Sequence, residues 1–167
     1  ALAIYFYMLR GPLVPAALAI GLFLTWAYRN PPLRLAYIPF LGEWAGLWFS
    51  GVLLSTASYF VLTGGFDRVP FFAGVVQSTL VLGWLMQHHI PDVMADLSAV
   101  PRKLTTPAYF HLKWGSGFTK VPSILYFTLA LVLSIIGTIY ISTVLMWMIP
   151  VALAGILAAA STRVSDI

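Results

Sequence analysis

The stretch VPSILYFTLALVLSIIGTIYI, Val121 to Ile141, runs for twenty-one residues without a charged side chain. At about 1.5 Å rise per residue, a helix of this length covers roughly 30 Å, the thickness of a bilayer's hydrocarbon core. It lacks the apolar-polar alternation of a barrel strand, and an open strand in lipid would leave backbone groups without partners. The stretch therefore predicts a transmembrane helix.

The rest of the chain follows the same pattern. Of its 167 residues, 60% are hydrophobic and 8% charged, and the mean hydropathy is +0.93, far outside the range of soluble domains. Comparable apolar runs cover Leu13 to Ala27, Trp44 to Thr63, Phe71 to His89 and Thr143 to Ala160, while Ala1 to Leu9 reads as the end of another helix, broken by Arg10-Gly11-Pro12. The expectation is an all-α, polytopic transmembrane helix bundle with about five full spans and part of a sixth. Residues 1–167 form one transmembrane domain on this reading. The chain opens on Ala with no signal-peptide pattern, so it is expected to be an incomplete portion of a longer protein.

If the chain changes sides at every span, Arg29, Arg34, Arg102, Lys103, Lys113, Lys120 and Arg163 fall on one side, and only Arg10 and Arg68 on the other. The positive-inside rule makes the richer side cytoplasmic. Trp26, Tyr28, Tyr37, Trp44, Trp114 and Tyr126 lie near span ends, where aromatic residues anchor to the interface. The absence of cysteine removes disulfides, thiolate metal sites and cysteine nucleophiles. A scattered net charge of +4 fits anionic headgroups or substrates at the membrane surface and gives no nucleic-acid footprint.

One polar stretch interrupts the hydrocarbon: QHHIPDVMADLSAVPRK, Gln87 to Lys103, placed by this topology at the cytoplasmic mouth. Asp92 and Asp96 are four residues apart, so a continuing helix would put both carboxylates on one face, where something positive must offset their repulsion. Hard carboxylate oxygens suit magnesium, which keeps waters and shares its shell with substrate phosphates. Flanking Arg102 and Lys103 would take the phosphate oxygens. The plainer reading is a solvated acidic pair at a helix end. His88 and His89 are adjacent and so diverge by about 100° on a helix, a poor arrangement for a transition-metal site. No Gly-x-Ser-x-Gly elbow supports serine hydrolase chemistry.

Three segments in order resemble the UbiA superfamily of intramembrane aromatic prenyltransferases, in particular the members that prenylate 1,4-dihydroxy-2-naphthoate on the way to menaquinone. AYRNPPLRLAYIPFLGE, Ala27 to Glu43, is similar to the family's helix ending in Tyr, Pro-containing turn and Gly-Glu pair. FSGVLLSTASYFVLTGG, Phe49 to Gly65, is similar to its next helix. HHIPDVMADLSAVPRKLT, His88 to Thr105, resembles the second Asp-rich motif, with His88 where the family has Asn and with Arg102 and Leu104 matching the basic loop without a gap. The first Asp-rich motif has no counterpart in these residues.

The resemblance implies a multi-pass membrane enzyme that transfers a prenyl group from a polyprenyl diphosphate to an aromatic acceptor, with Mg2+ as cofactor. It assigns Asp92 and Asp96 to the metal, and Arg102, Lys103, His88, Tyr28, Arg29 and Arg34 to the diphosphate. Glu43 would orient or deprotonate the acceptor phenol, or serve as a structural hydrogen-bond partner at a helix start. A non-catalytic membrane subunit or an anion-binding transporter is the competing class, and it predicts ionisable residues at mid-span that these spans lack. A CDP-alcohol phosphotransferase would need an Asp-Gly-x-x-Ala-Arg motif that is absent.

Overall fold

A computed structural model describes residues 2–164. Among the described residues every regular element is helical. α1 (Leu2–Arg10) and α2 (Leu13–Arg29) are joined at Gly11, whose φ of 77° is a left-handed turn that a β-carbon would oppose. A six-residue π-helical turn (Glu43–Trp48) runs directly into α3 (Phe49–Thr63). α4 (Arg68–His89) crosses back, and α5 (Val93–Ser98) and α6 (Thr106–Trp114) are short. α7 (Val121–Tyr140) then leads through a 3-10 turn (Thr143–Trp147) to α8 (Met148–Ser161).

Four continuous helical runs are long and apolar enough to cross a membrane: Glu43–Thr63, Arg68–His89, Ser116–Tyr140 and Thr143–Ser161. The expected span beginning at Leu13 is a 17-residue helix, shorter than these four. Asn30-Pro31-Pro32 ends it, since proline supplies no backbone donor and pushes its predecessor out of the helical region; Asn30 Nδ2 instead donates to the Trp26 carbonyl at 2.9 Å. The α3–α4 connection is as tight as the sequence predicts. Gly64 terminates α3 at φ 80°, and the Asp67 carboxylate caps α4 by accepting from the Val69 amide at 2.6 Å.

α4 is the central helix and packs against α3, α7 and α8. In lipid, helices gain little from hiding hydrocarbon, so close approach through small residues carries the association. Phe127 of α7, fully buried, fills the space left by Gly83 of α4 and Gly155 of α8; a β-carbon at Gly83 would stand 2.8 Å from its ring. On the other flank of α4, Gly51 of α3 faces Ser78 and Ser55 faces Gly74, so two small residues one turn apart on each helix meet in antiparallel register.

Antiparallel packing sorts the cations by end. Arg10 donates to the Val61 and Leu62 carbonyls at 2.8 and 3.0 Å, capping the C-terminus of α3 at the sparsely charged end. At the other end Lys120 donates to the Ala160 carbonyl at 2.8 Å, closing the C-terminus of α8 in the same manner. The predicted polar stretch lies at that second end.

Candidate functional site

α4 does not continue through the two aspartates. It ends at His89, and Pro91 forces a turn before α5 starts with Asp92 at its N-terminal boundary. The Asp96 amide donates to the Asp92 carbonyl at 2.8 Å, so one helical turn still separates the pair. Their surroundings differ, however: Asp92 is exposed, whereas Asp96 is 8% exposed. A buried carboxylate has to be paired and hydrogen-bonded. The loop after α5 folds back to do this: the Lys103 amide donates to the Asp96 carbonyl at 3.0 Å, Lys103 Nζ sits 3.0 Å from Oδ1, and Thr105 Oγ1 donates to Oδ2 at 3.2 Å. This is the one ion pair among the described residues. Arg102, expected to share the anion-binding role, is exposed, and Lys103 is the cation that meets the carboxylate.

Glu43 approaches from the other side. The Gly-Glu pair has a steric reason, because a β-carbon on Gly42 would overlap the Leu35 carbonyl, and only glycine lets these two backbones touch. Behind it the wide π turn begins, a rare geometry found mostly as single turns near functional sites. Glu43 is 5% exposed, and its Oε1 accepts from Thr106 Oγ1 at 2.7 Å and from the Thr106 amide at 3.3 Å. Thr106 is the first residue of α6, so Glu43 satisfies one of the orphan amides at that helix's positive end. The same hydroxyl accepts from the Phe40 amide at 2.8 Å. The structural role foreseen for Glu43 is therefore present, although the helix it serves is α6. Its second oxygen, Oε2, is buried without a partner.

Thr105 and Thr106 thus each hold one of the two buried acids. Below them lies an aromatic layer: Trp44 Nε1 donates to the Tyr126 hydroxyl at 2.9 Å, Trp48 Nε1 donates to Thr79 Oγ1 at 3.0 Å, and the two indoles lie 5.0 Å apart. Tyr28 packs its ring over Gly46, where a β-carbon would collide with it. Gly46 belongs to the π turn that Glu43 begins, so the end of α2 lies against that turn.

The remaining expected residues are less engaged. Arg29 is exposed, and Arg34 has its guanidinium 5.7 Å from the Tyr37 ring centre. His88 is exposed. His89 is 9% exposed and has no partner at Nδ1. No group of three or more His, Asp or Glu residues converges among the described residues. Two carboxylates one turn apart are nonetheless a suitable donor set for magnesium, which takes few protein ligands and completes its shell with water and phosphate. Asp92 is free to reach solvent, and the Asp96 oxygens keep lone pairs beyond those used by Lys103 and Thr105.

Sequence reading missed Thr106, Trp48 and the identity of the pairing cation. A signal for Thr106 existed: Thr105-Thr106-Pro107 combines a preferred N-cap residue with a proline in the first turn, which marks the start of α6 inside what reads as a long loop. Comparison with family models, curated proteins and solved structures gives no significant match for this chain.

Proposed function

We propose that this chain is part of a magnesium-dependent intramembrane prenyltransferase of the UbiA type, which joins an allylic polyprenyl diphosphate to an aromatic acceptor in quinone biosynthesis. The observation that carries the reading is the pair of buried acids at one end of an otherwise apolar bundle, Asp96 held by Lys103 and Thr105 and Glu43 held by Thr106, with Tyr28 packed on the turn that Glu43 begins. Tyr28 and Glu43 come from one, and Asp96 and Lys103 from another, of the three stretches on which the resemblance rests. Four membrane-length helices supply the apolar surroundings that such a lipid substrate requires, with α2 as a fifth, shorter crossing.

On this proposal Asp92 and Asp96 would hold magnesium, which when bound would supply positive charge against the diphosphate leaving group. Lys103 takes a diphosphate oxygen, with Arg29, Arg34 and Arg102 at the rim. The allylic C–O bond breaks with its electron pair leaving on the diphosphate, the resulting cation bonds to a ring carbon of the acceptor, and the proton lost from that carbon passes to the released diphosphate. Glu43 Oε2, buried and unpartnered, accepts a hydrogen bond from the acceptor hydroxyl and directs the ring. Trp44, Trp48 and Tyr126 form an aromatic wall that excludes water from the cation. The site faces the cytoplasm, on the side richer in Lys and Arg.

The test is to purify the full-length protein carrying this chain and incubate it with magnesium, a labelled prenyl diphosphate and a panel of aromatic acceptors. Product formation is expected to fall by about 100-fold or more in Asp96→Asn and Asp92→Asn. Turnover that survives both substitutions in the presence of a chelator overturns the proposal.

A further inference from the structure

We propose that the cleft between the start of α7 and the end of α8 binds the phosphate of an anionic phospholipid, whose acyl chains run down an exposed leucine row of α8. The site is separate from the acidic turn after α4 and independent of the reaction proposed above.

A cavity of about 490 Å3 opens between these two helix ends. One wall is the 3-10 turn Ser116–Phe118, which leads into α7, together with Lys120; the other is Ser161, Thr162 and Arg163. No carboxylate lines it among the described residues. The Ser161 and Thr162 hydroxyls are turned back to carbonyls of α8. The groups left to meet a ligand are therefore the two cations, the Ser116 hydroxyl, and the amides of Ser116 and Gly117, which open a helical turn and have no carbonyl one turn earlier within it. A set so rich in donors suits an anion with several acceptor oxygens.

Lys120 is half-buried and fixed in place. Its Nζ donates to the Ala160 carbonyl at 2.8 Å and lies 3.5 Å from that of Thr162. An ammonium has three protons, so one remains for a ligand. The lysine also offsets the negative end of α8, which leaves Arg163 and the positive start of the α7 run in excess.

The surroundings make the ligand a lipid in place of a soluble anion. Leu153, Leu157 and Ser161 form one row of α8 at four-residue spacing, and both leucines are exposed, so hydrocarbon continues directly from the polar cleft. Phe118 of the turn and Trp114 just before it are exposed with ring centres 6.4 Å apart, as aromatic residues at a membrane interface are. The cleft opens at the end of the bundle richer in Lys and Arg, where basic pockets between spans meet anionic headgroups. A phosphate in the cleft with its chains along the leucines uses both halves of this surface; a soluble phosphate uses only one.

Native mass spectrometry of the full-length protein, released from nanodiscs of equal parts phosphatidylglycerol and phosphatidylcholine, tests the proposal. The wild type is expected to retain phosphatidylglycerol over phosphatidylcholine by about 10-fold, and Arg163→Gln should lower that preference by about 5-fold, the usual contribution of one cation near an anionic surface. Gly117→Asp should bring it close to unity, because a β-carbon there meets nothing within 4 Å and the new carboxylate enters the cleft without disturbing the packing. Lys113→Gln, which removes a cation lying over the Tyr109 and Trp114 rings outside the cleft, should keep the preference. Equal retention of both lipids by the wild type overturns the proposal, as does a preference that survives both cleft variants or falls equally in Lys113→Gln. Loss of the bound lipid to an equimolar amount of glycerophosphoglycerol, the headgroup without chains, assigns the cleft to a soluble phosphate and overturns the lipid. The two cleft variants change exposed positions and are independent of each other, so failure of one to fold leaves the other to decide.

Discussion

Around Phe127 the protein makes room by omitting atoms. Gly83 and Gly155 lack the β-carbons that would strike its ring, and contact is complete because nothing polar needs to be matched. Around Asp96 and Glu43 the protein does the opposite, bringing hydroxyls, an amide and an ammonium to particular oxygens. Both regions are buried, but the first is specified by volume and the second by partner counting. Volume in a membrane protein can be matched by many apolar sequences, whereas a buried acid tolerates few substitutes for its donors.

The largest effect is expected where the volume match is broken. Gly155→Leu should lower the unfolding free energy in mixed detergent micelles by about 3 kcal/mol, and adding Phe127→Ala should recover part of it. If the double variant is no better than the single, Phe127 is not the obstacle and the comparison loses its apolar half. Next comes Thr106→Val, which removes the hydroxyl donor at 2.7 Å from Glu43. Its cost should be about 2 kcal/mol, the penalty for leaving a buried acceptor short of a donor. A Thr106→Val protein as stable as wild type would mean that Glu43 finds a replacement donor. Trp44→Phe keeps the aromatic surface and deletes the bond to the Tyr126 hydroxyl; a loss of about 1 kcal/mol is expected in chemical unfolding curves, and an unchanged midpoint would show that the bond contributes nothing net. The smallest change belongs to Arg10→Ala at the far end of the bundle. There a partly exposed guanidinium caps α3, and well under about 1 kcal/mol should be lost, with no effect on any binding measured at the Asp96 end.

How much of this could be read in advance follows the same division. The helices were legible because apolar runs of about twenty residues have few alternatives in lipid, and the sorting of cations to the two ends follows from counting those runs. The grouping of Tyr28, Glu43 and Asp96 in one site is an expectation that comes from the family resemblance alone. Asp92 and Asp96 looked equivalent in sequence, because spacing says nothing about which of two carboxylates the following loop will cover. The choice of Lys103 over Arg102 was hidden for a related reason. It depends on the loop closing through the Lys103 amide onto the Asp96 carbonyl, a contact with no local periodicity. The bond from Thr106 to Glu43 joins positions 63 residues apart, and no window of sequence contains both.

Thr105 and Thr106 are neighbours in the chain, yet one grips an acid from the segment after α4 and the other an acid from the entry to α3. A single peptide unit, with its α-carbons about 3.8 Å apart, therefore serves as the ruler between the two carboxylates. Bilayer thickness, temperature and helix tilt can all shift transmembrane helices against one another, but they do not stretch a covalent bond. For as long as these two hydrogen bonds hold, both acids stay anchored to adjacent residues of one chain segment while the helices around them shift.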